Sequence, residues 1–349
     1  MAPGGRDDGA CGSTGLFRTR PPAPGKPPAQ QRGVSLIDPA GPGRALAASL
    51  DARDRRAKDA ANKGAPGMRF AFAGIDFLGD VFETLLGKGW EPVGLFSRPC
   101  DGVYDFNDET LARARGLKVP VQLSRISPSD LAGLKARGCQ ALVVAGYPWL
   151  ITGWERHLPY AVNFHPSPLP VARGPYPLFQ AILDAEPEWG MTAHALAPAF
   201  DTGPILAQKR FPLSPGENHD TLLVKCQMAA RDVAARLAED LPRLWTEAKP
   251  QGPGSYWPRI TQAQRTVDWS RGVGDALRTI RAFGSIEAFA QVDTRYVYVW
   301  DAAGWEEPHR HRPGAVVHRH RRHLLVAARD GFVQLRGWSP FAPGASRGS

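Results

Sequence analysis

No run of eighteen apolar residues occurs in the chain, so no transmembrane helix is expected. Cysteine is scarce. Cys11, Cys100, Cys139 and Cys226 are its four cysteines, and their spacing matches neither a metal site nor a disulfide framework. Scattered thiols suit a reducing cytoplasm, the expected compartment. The dinucleotide fingerprint is missing as well. The first strand-to-helix turn reads Gly74-Ile75-Asp76-Phe77-Leu78-Gly79 rather than GxGxxG, and no acidic residue stands at the end of the second strand. A tight turn is therefore preferred over a nucleotide site, although a helix start there would suit an anionic part of a substrate.

Residues 1–67 lack aromatics apart from Phe17, and hold nine Pro and eleven Gly. Such a segment buries too little apolar surface to offset the entropy of ordering, so it is expected to be disordered, with at most a short helix over 45–61. A secretory signal would need an apolar core. A transit peptide would be rich in serine and poor in acid, whereas serines are few here and Asp7 and Asp8 lie near the start. The net charge is +9; the first 67 residues carry eleven Lys/Arg against six Asp, a surplus of +5, leaving +4 for the rest. With more than half the excess in the extension, bulk charge is weak evidence for nucleic-acid binding.

The remaining length suffices for two domains, and 43% apolar content is ordinary for a soluble globular protein. Over 68–245, short apolar runs at 69–73, 93–96, 119–121, 141–145, 161–164, 192–197 and 205–211 read as strands. Helical spacing lies between several of them. Asn107 or Asp108 is placed to cap a helix reaching Arg115. Ser127-Pro128 is a cap followed by proline in the first turn. Leu222, Leu223, Cys226, Ala230, Val233, Leu237 and Leu241 form one face of a long helix. The fold class expected is α/β, a Rossmann-like parallel sheet with helices on both faces. Residues 246–254, which include Lys249-Pro250-Gln251-Gly252-Pro253-Gly254, read as a linker. Over 255–340 a helix at 273–283 and short strand-like runs suggest a small, mostly-β domain, an open barrel of OB-like kind. Residues 341–349 read as a frayed tail.

The chemistry concentrates in 162–206. Asn163 and His165, two apart on a strand, share a face. Asp201 stands in the turn Phe200-Asp201-Thr202-Gly203-Pro204. An amide, an imidazole and a carboxylate are what polarising a carbonyl and moving a proton require. Ligands of open parallel sheets bind beyond the carboxyl ends of the strands, so the loops after 141–145, 161–164 and 192–197 are expected to converge there. Each residue also has a plainer reading. Asn163 would bond a neighbouring loop, a lone His is more often structural, and Asp201 would simply occupy a turn before Gly203. Their company favours catalysis. His194 reads as a packing or supporting residue, and Ser167 and Arg173 as shapers of the turn.

At Asn163-Phe164-His165-Pro166-Ser167-Pro168-Leu169-Pro170 with Arg173-Gly174, and at Asp201-Thr202-Gly203-Pro204-Ile205, the chain resembles folate-dependent formyltransferases. That family includes methionyl-tRNA formyltransferase, glycinamide ribonucleotide formyltransferase, 10-formyltetrahydrofolate hydrolase domains and sugar N-formyltransferases. The likeness extends to Tyr256-Trp257-Pro258-Arg259, Val267-Asp268-Trp269-Ser270 and Ile280-Arg281-Ala282-Phe283, which resemble the C-terminal domain of the methionyl-tRNA branch. The resemblance implies 10-formyltetrahydrofolate as co-substrate, no metal, and an amine acceptor, with initiator methionyl-tRNA in view. It implies Asn163 as donor to an oxyanion, His165 as its stabiliser or acid, and Asp201 as the residue that orients His165 and relays a proton. It implies a pterin pocket walled by Gly146, Tyr147, Phe200, Thr202 and Gly203.

Two departures matter. Pro168 replaces the usual first Leu of the turn, and the loop 97–108 holds Asp101, Asp105 and Asp108 against Arg98, where the tRNA branch has a basic loop. A small amine, such as an amino sugar or a hydroxylated amino acid, is thus an alternative acceptor, water another, and a folate- or RNA-binding protein on the same scaffold the non-enzymatic rival. Between Trp305 and His323 lie His309, His311, His318, His320 and His323 with five arginines. They lack metal-ligand spacing. They read as a solvated hairpin or, more sharply, an RNA-contacting rim. Met68, where the first strand begins, is expected to be the physiological start. Intact-mass measurement of the native protein should then give an N-terminus there, and a start well upstream of it would overturn that expectation.

Overall fold

The computed structural model describes residues 67–100, 105–286 and 288–341. The expected disordered extension thus lies, but for Gly67, outside the described residues, as do Asp101 and residues 342–349 of the tail.

Seven strands form the first sheet: β1 (Arg69–Gly74), β2 (Glu91–Phe96), β3 (Val121–Gln122), β4 (Ala141–Ala145), β5 (Tyr160–His165), β6 (Glu188–Ala195) and β7 (Ile205–Pro212). Their order is β3-β2-β1-β4-β5-β6-β7. The helices are α1 (Gly79–Gly87), α2 (Asp108–Gly116), α3 (Pro128–Ala136), α4 (Pro177–Leu183), α5 (His219–Glu239) and α6 (Leu241–Thr246). Alternation along the central strands divides the core. Phe70, Phe72 and Val143 join the α1 and α5 side chains on one face, while Ala71, Ala73, Leu142 and Val144 meet Leu131 and Leu134 of α3 on the other. Strands buried on both faces read as unbroken apolar runs, which is why β4 was visible to the residue in the sequence.

The sheet is parallel from β3 through β5; β6 runs antiparallel to β5, and β7, antiparallel to β6, returns to the direction of the other strands. The convergence of three loops at one carboxyl edge therefore needs correction. Because β6 runs backwards, Asn163 pairs with His194 and His165 with Thr192, and the segment after β6 reaches the site by folding back beside β5.

α3 starts with a capping box in which Ser127 Oγ accepts from Asp130 N–H and the Asp130 carboxylate accepts from Ser127 N–H. At α2 the expected side-chain cap is replaced. Asn107 turns its amide to Ser97 Oγ (3.1 Å) and the Arg98 carbonyl (2.7 Å), and Asp76 accepts from Glu109 and Thr110 N–H instead. The turn after β1 is thereby committed to holding α2.

The C-terminal part contains α7 (Gln262–Arg265), β8 (Thr266–Val267), α8 (Val273–Phe283), β9 (Ala288–Val292), β10 (Arg295–Glu306), β11 (Val316–His320), β12 (His323–Ala327) and β13 (Gly331–Phe341). These strands form one six-stranded sheet in the order β11-β12-β13-β10-β9-β8. Among the described residues its two outer strands do not pair with each other, so the sheet stays open. α8 lays Val273, Ala276, Ile280 and Phe283 into the core. Two aromatic stacks join this part to the first sheet: Phe283 on Phe179 of α4 (centroids 5.1 Å apart) and Trp257 on Trp189 of β6 (5.4 Å). The expected linker is pinned. Lys249 exchanges both backbone hydrogen bonds with Ile205.

Among the described residues no helix is long and apolar enough to cross a membrane, and no cluster of His, Cys, Asp or Glu could hold a metal ion. Trp189 is fully buried and donates its Nε1–H to the Pro166 carbonyl at 2.8 Å. Trp189→Ala should cost about 3–5 kcal/mol in denaturant unfolding. Trp189→Phe, which leaves the carbonyl without its partner, should cost about 1–3 kcal/mol.

Candidate active site

Along β5, Val162 and Phe164 enter the core, so Asn163 and His165 share the other face and line a cavity of about 530 Å³. The chain then turns through three prolines. Thr192 Oγ1 donates to the Ser167 carbonyl (2.7 Å) and accepts from Leu169 N–H (3.2 Å), while Ser167 Oγ donates to the Val171 carbonyl (2.8 Å). These bonds hold Ala172 at φ +59°, a conformation that costs a non-glycine residue roughly 1–2 kcal/mol. Its carbonyl thereby comes to lie 2.8 Å from His165 Nε2. Ser167 shapes this turn, as expected. Arg173 reaches beyond it, to Gln251 Oε1 (2.9 Å) and the Gly252 carbonyl (3.1 Å).

Asp201 is buried and is the hub. It too has a left-handed backbone, φ +57°, which Asp tolerates better than most residues. Its Oδ2 accepts the Gly174 N–H at 2.9 Å. Its Oδ1 stands 3.3 Å from Asn163 Nδ2, 3.4 Å from His165 Nδ1 and 3.6 Å from His194 Nε2. Burial alone would raise this carboxyl. The neighbouring His165 and the Gly174 N–H outweigh it and hold the acid at about 2. Both ring nitrogens of His165 face oxygen atoms, the Ala172 carbonyl at Nε2 and the Asp201 carboxylate at Nδ1.

Gly203 and Thr202 stand in the turn beside the cavity. Thr202 donates to the Ala199 carbonyl, and a Cβ at Gly203 would run into the Ala195 carbonyl, so both shape the turn and neither lines the cavity. Gly146, Tyr147 and Phe200 do line it. The Tyr147 hydroxyl donates to the Ser124 carbonyl and accepts from Ile126 N–H, both at 3.0 Å, and burial pushes its pKa to about 12, so it acts as a wall rather than an acid. At one end of the cavity Arg98 pairs with Asp105 at 2.5 Å.

The supposed linker supplies the residue the sequence did not reveal. Gln251 Nε2 donates to the carbonyls of Asp201 (2.9 Å) and Gly203 (2.7 Å), clasping the turn that carries the carboxylate. Its only sequence signal is an isolated amide within a Pro/Gly run. His194 was expected to pack or support. It does the latter, with Nε2 3.0 Å from Asn163 Nδ2 and Nδ1 2.8 Å from the Ala195 carbonyl.

Comparison with known proteins agrees with this architecture. Residues 124–236 match the formyl transferase domain and residues 259–340 the formyl transferase C-terminal domain. A methionyl-tRNA formyltransferase from Marinobacter nauticus is 27% identical over 293 residues, covering 77% of this chain and 90% of that protein. HypX from Aquifex aeolicus, solved also in complex with tetrahydrofolic acid, shares the fold at a TM-score of 0.60 and 20% identity over 78% of this chain. The match spans 46% of the HypX chain. An N-formyltransferase from Helicobacter canadensis, solved with folinic acid and dTDP-3-aminofucose, aligns with a TM-score of 0.58 and 15% identity, over 78% of this chain and 99% of that one. With both domain matches present in their usual order, the chain belongs to the formyl transferase family and is a formyl-transferring enzyme.

Proposed function

We propose that the protein moves the formyl group of 10-formyltetrahydrofolate onto an acceptor amine. The observation that carries this is the placement of Asn163 Nδ2 and His165 Nδ1 within 3.4 Å of one carboxylate oxygen, so that two donors aim at a single spot in the cavity. The cavity fits a pterin: Tyr147, Trp149, Leu150 and Phe200 line it with flat or apolar surface. The folate supplies an activated formyl carbon.

When the amine attacks that carbon, negative charge grows on the formyl oxygen. Asn163 and His165 donate to it, and loss of such a donor typically costs about 2.7–4 kcal/mol of barrier. The attacking nitrogen becomes positive and must lose a proton as the new C–N bond forms and the old one to folate nitrogen breaks. Asp201 is ionised and stands 3.4 Å from His165 Nδ1, so the pair can take the proton from one nitrogen and return it to the other through water.

Initiator methionyl-tRNA is the acceptor favoured by the match over 259–340 and by the names of the relatives. His318, Arg319 and His320 of β11 and Arg321 and Arg322 of the turn that follows are exposed and would meet its phosphates, in keeping with the RNA-rim reading. A small amine is the second reading, favoured by the Arg98–Asp105 pair at the cavity end, where a basic loop would serve RNA. The cytoplasm is the compartment proposed with both readings.

The deciding experiment follows deformylation of 10-formyltetrahydrofolate with methionyl-tRNA, with nucleotide-linked amino sugars and with water alone. Turnover with one amine class names the acceptor, turnover with water alone makes the protein a hydrolase, and silence with all three defeats the proposal. Asp201→Asn should lower kcat by about 10²–10³.

The carboxylate also predicts an acid response. With a folded pKa near 2 against about 3.9 unfolded, Asp201 adds stability above pH ~4 that is lost as pH falls through 2. Acid titration of unfolding should accordingly show a shallower loss between pH 4 and 2 in Asp201→Asn than in the wild type.

A further inference from the structure

The proposed chemistry requires the nitrogen of the Asn163 amide, rather than its oxygen, to face the spot shared with His165. Nothing intrinsic to asparagine decides this, because its amide presents a donor end and an acceptor end of nearly the same shape. We propose that His194 is a positioning residue that fixes the Asn163 amide with its nitrogen toward Asp201 and His165. The proposal rests on the formyl-transfer reading and adds to it the residue that sets the direction of its oxyanion donor.

The argument begins at the far side of the His194 ring. Nδ1 lies 2.8 Å from the Ala195 carbonyl, which only accepts, so Nδ1 carries the hydrogen. In the neutral ring this leaves Nε2 as a bare lone pair, 3.0 Å from Asn163. A lone pair there repels an amide oxygen and accepts from an amide nitrogen. The Ala195 carbonyl therefore selects the tautomer of His194, and the tautomer selects the orientation of Asn163.

Asp201 reinforces the choice. The second amide hydrogen points to Asp201 Oδ1 at 3.3 Å, and an amide turned over would set oxygen against oxygen there. That bond is the longer of the two, and the same Oδ1 also stands near His165 and His194. It is the bond an incoming formyl oxygen can replace, while His194 keeps hold of the first hydrogen.

Local structure holds the ring still. His194 is buried on β6 opposite Asn163 in the β5–β6 ladder, so register alone places the two side chains together. Gly203 lies against the ring, where an added Cβ would stand 3.4 Å from Nδ1. The titratable group facing the ring is Asp201, whose Oδ1 stands 3.6 Å from Nε2, and His165 approaches that same oxygen from β5. A proton on Nε2 would turn it from acceptor to donor and call for the amide oxygen, withdrawing the Asn163 donor from the formyl group.

The test is a double-mutant cycle combined with a spectroscopic measurement on the full-length protein. His194→Leu should lower kcat about 10–100-fold while tetrahydrofolate affinity, measured by equilibrium binding, stays within twofold. In an Asn163→Ala background the same change should have almost no further effect on kcat, because His194 acts through the amide that is already gone. Nitrogen-15 spectra of labelled histidine should show His194 protonated at Nδ1 and bare at Nε2.

An equal loss from His194→Leu in both backgrounds, or an Nε2-protonated neutral ring, would overturn the proposal. If His194→Leu fails to fold, the tautomer measurement on the wild type decides alone. If no acceptor supports turnover, the function reading falls, and the same spectrum still settles the orientation of the amide.

Discussion

A buried carboxylate tolerates its surroundings only when donors surround it, and Asp201 is where this fold meets that condition. A backbone N–H, an asparagine amide and the His165 ring converge on its two oxygens, with the His194 ring beside them. These groups come from three pieces of chain: Asn163 and His165 from β5, His194 from β6, and Gly174 from the segment between β5 and α4. None of the pieces would hold its functional shape by propensity alone. Ala172 and Asp201 both have left-handed backbones, and the prolines between His165 and Ala172 give the turn no backbone N–H of their own at three positions. The charge at the centre and the strained segments at the rim are parts of one construction, in which the electrostatic demand of the buried anion organises the chain around it.

The reversal of β6 makes this possible. Had the sheet continued parallel, the segment after β6 would have begun level with the loop after β5, and His194 would not have stood opposite Asn163. With the antiparallel pairing, adjacent side chains in the ladder become Asn163 with His194 and His165 with Thr192. Thr192 ties the proline turn while His194 ties the amide, so a single strand supports both reactive residues of its neighbour. The arrangement is rigid for the same reason that sheets are: each support arises from register, which a central strand cannot shift without moving its entire buried face.

The sequence makes some of this legible and hides the rest for physical reasons. β4, α8 and the α3 cap appear because burial on both faces, helical periodicity and capping chemistry are local patterns. The meeting of Asn163, His165 and Asp201 can be anticipated from residue type and from the family resemblance. The direction of β6 cannot, since an apolar strand carries no mark of which way it pairs. Asn107 looks like a cap and is used to tie the Ser97–Arg98 backbone, while Asp76 caps the helix from a distant loop. Gln251 and Gly174 act on or through backbone atoms, and such roles leave almost no trace in side-chain identity. Thr202 and Gly203 serve the geometry of their turn through a hydrogen bond to the Ala199 carbonyl and a close approach to the Ala195 carbonyl.

The pinning of the connector has a mechanical meaning. Between the two sheets the chain does not hang free. It crosses the Asp201 turn, with Lys249 zipped to Ile205 and Gln251 bound to both ends of the Asp-Thr-Gly segment. Ser255 then grips Ala172, whose carbonyl faces His165, and Trp257 stacks on Trp189. Any force that a bound partner exerts on the C-terminal sheet is thus delivered first to the residues framing the carboxylate and the imidazole. The connector is a drive shaft that ties the frame of the chemistry to the C-terminal sheet.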